Sequence, residues 1–252
     1  MTYCVALKTN AGMVFLSDTR TNAGVDNISK YKKMFTWEVP GDRVITMMTA
    51  GNLAVTQAVI SLLQENIDKP QEGIDTLLNA DSMFRIAEIV GDAMRVIQNR
   101  YGRNIAQAGE STLSSIIVGG QRAGGEMRLF YVYSAGNFIE AGEDTPFFQI
   151  GEHKYGKPIL DRVITVDTPV DVCVTAALLS MDSTLRSNLS VGMPLDLSVV
   201  ARDELRFAQK RRIDDHDPDY LALSDAWSNS LRNAFLEMAQ LSISQSDQGT
   251  MS

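Results

Sequence analysis

The sequence is short of the residues on which much enzyme chemistry rests. It has two cysteines, Cys4 and Cys173, and two histidines, His153 and His216. The cysteines stand among apolar neighbours, which predicts buried free thiols in a reducing compartment and not a disulfide framework. No CxxC or His/Cys cluster offers a zinc site, and no metal or organic cofactor is implied. Both histidines fall in polar, loop-like surroundings without a nucleophile motif, so a Ser-His-Asp triad has no support. Gly119-Gly120 and Gly124-Gly125 read as strand turns, and no phosphate-binding loop pattern is present. No apolar run approaches about eighteen residues, and the amino terminus lacks a charged region followed by an apolar one. Neither a membrane span nor a signal peptide is expected, and a cytoplasmic location follows. Positive charge is also scarce: 23 Lys and Arg against 31 Asp and Glu leave a net charge of -8. That balance argues against a nucleic-acid surface. The densest basic run, Lys210-Arg211-Arg212, is followed by Asp214, Asp215, Asp217 and Asp219 and reads as a solvated turn.

The length fits one domain with a sizeable core. Tyr3, Val5 and Leu7 alternate with Cys4, Ala6 and Lys8, a strand period. Asn10-Ala11-Gly12 is a turn signal, and Met13–Leu16 forms the return strand. That hairpin places Thr2 opposite residues 19–21, beside Asp18. A second hairpin pairs Lys33–Val39 with Asp42–Met48 around Pro40-Gly41. Helical faces follow from Leu53 to about Lys69 and from about Ser82 to Gln98. Strands return at Leu113–Val118, Leu129–Tyr133 and Phe147–Ile150. Helices near Pro158–Ile164 and Pro169–Leu185 precede a strand pair, Leu195–Val200 and Leu205–Arg212, and a helix from about Tyr220 to Leu241. The polar tail, residues 242–252, is expected to fray. This order predicts a single α+β domain over residues 1–252: a four-layer αββα sandwich of two antiparallel sheets with helix pairs outside. Leu53, Val59, Ile60 and Leu63, with Phe84, Ile89 and Val90, give the first two helices apolar faces that look wider than one sheet covers, a reason to expect association.

The most telling feature is at the start. Met1 precedes a small residue, the kind of bond that methionine aminopeptidase cuts, so the mature chain is expected to begin at Thr2. An amino-terminal threonine carries a hydroxyl nucleophile and an α-amine with a reference pKa of about 7.7–8.0, able to act as a base near neutrality.

The ordered set Met1-Thr2, Ser17-Asp18-Thr19-Arg20, Lys32-Lys33-Met34 and Thr49-Ala50-Gly51-Asn52 resembles the proteasome β-subunit family of N-terminal-nucleophile hydrolases. Within that family it is most like the bacterial Anbu ("ancestral β subunit") proteins. The resemblance covers essentially the whole chain, including Gly151, Asp182 and the last helix. It implies that Thr2 is the nucleophile and that Asp18 pairs with the family lysine. That cation would disfavour protonation of the Thr2 amine. Asp18 and Lys33 are one residue closer than in most members, so Lys32 is the alternative; alternation turns only one of them inward, and Lys33 is favoured. Gly51 would open the first helix and aim its N–H at the oxyanion. Asp182 would support the terminus, and Thr49 and Leu53 would line a small to medium apolar substrate pocket. Two positions depart from the family. Leu185 stands where a serine is common, and Glu152 replaces a serine after Gly151, which could retune or reduce activity.

The resemblance therefore implies a threonine-type peptidase acting on peptides or unfolded proteins. It also implies self-association into a ring or an open, helical ring, with an unfoldase as an additional partner. The rivals are a catalytically silent assembly subunit and a small-molecule amidase of the same fold. An α-type proteasome subunit is disfavoured, because it carries a helix before the first strand.

Overall fold

The computed structural model describes residues 2–22 and 28–248. The first of its two compact units, Met1–Asp214, holds both large sheets. β1 (Tyr3–Lys8) and β2 (Gly12–Asp18) form the first hairpin, with Cys4 facing Ser17 and Lys8 facing Met13. β10 (Phe147–Gly151) flanks β1, and β11 (Leu195–Ala201) with β12 (Phe207–Ile213) extends the sheet beyond β2, in the order β10-β1-β2-β11-β12. The second sheet has the order β5-β6-β7-β8-β9, from β5 (Met34–Val39), β6 (Arg43–Gly51), β7 (Ser114–Arg122), β8 (Arg128–Val132) and β9 (Phe138–Glu140). Both sheets are antiparallel. A short ladder joins β3 (Arg20–Asn22) to β4 (Ile28–Lys30).

Strand alternation sorts the apolar residues into layers. Cys4, Ala6, Met13 and Phe15 of the first sheet share one core with Val44, Met48, Ile117 and Leu129 of the second. The opposite face of the second sheet, with Ile45, Met47, Ile116 and Val118, packs against Val59 and Leu63 of α1 (Leu53–Asp68) and Ile86, Val90 and Met94 of α2 (Met83–Gln107). On the far side of the first sheet lie α3 (Lys157–Val163) and α4 (Val170–Ser187), with α4 against β1 and β2. This is the expected α+β sandwich. Among the described residues, no helix is long and apolar enough to cross a membrane.

Several expectations are corrected. α2 runs to Gln107, well past Gln98, because Ile105 packs on the same core as Ile97 across a polar gap of two turns. Gly119 and Gly120 are not a turn but lie inside β7; a Cβ on Gly119 would come within 3.0 Å of the Phe15 ring and 2.7 Å of Leu129. Lys210-Arg211-Arg212 lies in β12, as the strand expected over Leu205–Arg212 has it, and not in the solvated turn also read there. The broad faces of α1 and α2 are largely covered by the chain itself: Val59, Leu63, Ile89 and Val90 are buried. Phe84 is the exception, exposed but edge-on to Phe138 at 5.4 Å. β9 and the β3–β4 ladder, at three residues per strand, were too short to read from periodicity.

The second unit, Asp215–Ser252, is built on α5 (Pro218–Gln248). Asp217 caps it, its carboxylate accepting from Tyr220 N at 3.0 Å. The helix extends to Gln248, into the tail expected to fray.

Candidate active site

Asp18 ends β2, where the polar set Ser17-Asp18-Thr19 closes the strand, and it is fully buried. Its Oδ1 accepts the backbone N–H of Tyr3 at 3.0 Å and pairs with Lys33 Nζ at 2.7 Å. Its Oδ2 accepts Gly192 N–H at 3.2 Å. Lys33 also donates to the Arg20 carbonyl at 2.5 Å. One carboxylate oxygen thus sits between the Lys33 ammonium and the amide that follows Thr2. Burial pushes the Asp18 carboxyl above its ordinary range, opposed first by the Lys33 cation and then by the N–H donors of Tyr3 and Gly192. Lys33, not Lys32, is the inward residue: Lys33 is 3% exposed, whereas Lys32 is exposed with its ammonium over the Phe35 ring.

Thr2 is nearly buried, and its carbonyl accepts Glu152 N–H at 2.7 Å. Gly151, at the end of β10, has φ +83°, and a Cβ there would stand 1.9 Å from the Thr2 carbonyl oxygen. Only glycine combines that backbone conformation with so close an approach. Met1, on whose removal the expected chemistry depends, lies outside the described residues.

Thr49 on β6 is buried and tied to the same place: its N–H donates to the Lys33 carbonyl at 3.0 Å. Its own carbonyl accepts from Cys4 Sγ at 3.9 Å. Burial pushes the Cys4 thiol well above its ordinary value, and the Asp18 charge adds to this. Gly51 does not open α1, as expected, but closes β6; Asn52 is the cap, its side chain accepting Val55 N–H at 3.1 Å, and the helix begins at Leu53. The reason is local. Gly51 has φ +101°, and a Cβ would meet the Leu113 carbonyl oxygen at 2.2 Å. Leu53 is half-buried in the first turn of α1.

Asp182 is buried on α4, and Arg186, one turn on, donates to its Oδ2 at 3.0 Å. What fastens α4 to the amino-terminal strand is a contact that sequence reasoning missed. Tyr3 Oη shares a hydrogen bond with Ser180 Oγ at 2.5 Å and accepts from Gln149 Nε2 at 2.6 Å. Burial pushes this phenol far above its ordinary value in spite of both partners. Gly192 was also missed. The sequence carries no signal for either, because strand alternation places Tyr3 on the helix-facing side but cannot name a partner 177 residues away. Glu152, noted for its charge, contributes its N–H to Thr2, and its carboxylate accepts from Asn188 Nδ2 at 3.1 Å.

The arrangement ties the residue after Thr2 to a buried ion pair, with a strand end and helix start close in sequence to Thr49. Comparison with known proteins agrees with it. The family model for the proteasome subunit matches residues 2–200. No curated protein matches the chain. Among solved structures, the Anbu (Gly-1) mutant from Hyphomicrobium sp. strain MC1 is 50% identical, with a TM-score of 0.87 over 93% of this chain and 97% of that one. Anbu from Yersinia bercovieri is 44% identical, with a TM-score of 0.87 over 93% and 96%. The helical assembly of the Anbu complex from Pseudomonas aeruginosa is 46% identical, with a TM-score of 0.88 over 93% and 96%. With this identity sustained over nearly the full length of each, the chain belongs to the proteasome subunit family, on its Anbu (ancestral β-subunit) branch.

Proposed function

We propose that the chain is a proteasome-type threonine peptidase that hydrolyses peptide bonds with Thr2 after Met1 is removed. The observation that carries this reading is the position of Asp18 Oδ1, held between Lys33 Nζ at 2.7 Å and the Tyr3 amide at 3.0 Å. It fixes the residue after the nucleophile to the ion pair. In this mechanism Thr2 Oγ attacks the scissile carbonyl, and its proton passes to the neutral α-amine of the same residue, directly or through a water. The nearby Lys33 cation keeps that amine from being protonated in the resting state. Developing charge on the carbonyl oxygen is taken by the Gly51 N–H. The protonated amine then gives its proton to the leaving amine, and an ester on Thr2 remains. Water, deprotonated by the same amine, hydrolyses that ester and restores the hydroxyl. Asp182 orients the terminus, and Thr49 and Leu53 shape the pocket for the residue before the scissile bond.

The Anbu complex from Pseudomonas aeruginosa forms a helical assembly, which supports a homo-oligomer of at least six subunits here, with Thr2 ends facing inward. Intact-mass measurement on the protein purified from its own cells should give a chain without Met1. Hydrolysis of short fluorogenic peptides should disappear in Thr2→Ala. A mass that retains Met1 throughout would sink the peptidase reading in favour of an assembly subunit, and turnover only of small amides would favour an amidase.

A further inference from the structure

Lys210 and Arg212 take on a different meaning once they are on a strand. In the first sheet, the ladder lines up Cys4, Ser17, Asp196 and Arg212 in one row, and Phe15, Ser198 and Lys210 in the next. Residues opposite one another in an antiparallel ladder share a face. Cys4 and Phe15 belong to the core between the two sheets, so both rows point to that side. Where the rows reach β11 and β12, the core gives way to a cleft of about 320 Å³. Asp196, Ser198, Lys210 and Arg212 line it from the first sheet, and Lys32 and Thr36 from the β5 side.

The charges in this cleft do not cancel. Arg212 and Asp196 form a two-pronged pair, with Nε–Oδ1 at 2.8 Å and Nη2–Oδ2 at 3.0 Å, which accounts for one cation and the carboxylate. Lys32 and Lys210 form no ion pair among the described residues; their ammonium groups rest over the rings of Phe35 at 5.2 Å and Phe207 at 4.8 Å. An aromatic face positions an ammonium without neutralising it.

We propose that this cleft binds a small oxyanion, a phosphate group either free or carried as a monoester on a small molecule. Two ammonium groups that are held in place but not neutralised meet the dianion, and the Thr36 hydroxyl supplies a further hydrogen bond. The volume lies at the lower end for small-molecule pockets, which suits a phosphate with a short substituent. A nucleic-acid strand would need a continuous basic surface, which a chain of net charge -8 does not provide.

Calorimetric titration of the full-length protein at low ionic strength tests this, with inorganic phosphate in one arm and glycerol 1-phosphate in the other. One site per chain is expected, weakened by added salt; the tighter arm identifies the free or the esterified source. Lys32→Gln and Lys210→Gln, both at exposed positions, should each weaken binding about tenfold. The double variant should lose it while keeping the circular dichroism spectrum of the parent. No binding in either arm at millimolar ligand, or binding that the double variant retains, would overturn the proposal.

Discussion

Removing the Lys33 cation should destabilise the protein in a way that depends on pH. The pair is almost sealed from water, with side-chain exposures of 4% for Lys33 and 0% for Asp18. Lys33→Met keeps the length and apolar stem but leaves Asp18 with only the N–H groups of Tyr3 and Gly192. Breaking one side of a buried ion pair costs about 3–5 kcal/mol, and the fold bears that cost here because both partners are buried. Asp18 is already raised by burial, and Lys33 is the chief opposing influence; without it the carboxyl rises further. The folded state then holds its proton more tightly than the unfolded chain, where a carboxyl titrates near its reference value of about 3.9. Relative to the parent, the penalty is therefore absent at low pH, where both proteins hold the proton, and grows as pH rises from the parent's folded value to the variant's higher one. Urea unfolding followed by circular dichroism at pH 4, 6 and 8 reads it directly. At a urea dependence of about 3 kcal/mol/M, the full deficit moves the midpoint by about 1–1.7 M. Asp18→Asn/Lys33→Met should show a smaller deficit without this pH dependence. A single variant within about 0.5 kcal/mol of the parent at pH 8, the scatter ordinary for surface changes, or a deficit constant with pH, would refute the reasoning.

Gly151→Ala should disturb the terminus, since the new methyl would fall 1.9 Å from the Thr2 carbonyl oxygen at a residue with φ +83°; a loss of peptide hydrolysis with a lowered unfolding midpoint is expected, and unchanged turnover would show that the Thr2 backbone is not held there. Tyr3→Phe strips Ser180 and Gln149 of a shared partner and should cost about 1–3 kcal/mol in urea unfolding, whereas Ser180→Ala in the Tyr3→Phe background should add little, as a double-mutant cycle would reveal.

Much of this protein was legible in its sequence, because much of it is set by periods. Alternation over Tyr3–Lys8 and Gly12–Asp18 with a turn between them yields the hairpin and its register, which carries Asp18 alongside the first residues. Apolar spacing gives α1, and the Asn52 cap, a local side chain-to-backbone contact, closes its start. Alternation also allows only one of Lys32 and Lys33 to face inward. Which one does so was decided by tertiary structure, since the choice depends on where Asp18 of another sheet stands. The same holds for Tyr3 with Ser180 and Gln149, for Gly192 on Asp18, and for the neighbours that forbid a side chain at Gly119 and Gly151. The basic cleft belongs to this second class too. Lys32 and Lys210 are 178 residues apart in the chain and meet only because two sheets pack face to face. Sequence dictates what is periodic or close along the chain; contacts between distant segments depend on how the layers stack, and no local pattern encodes that.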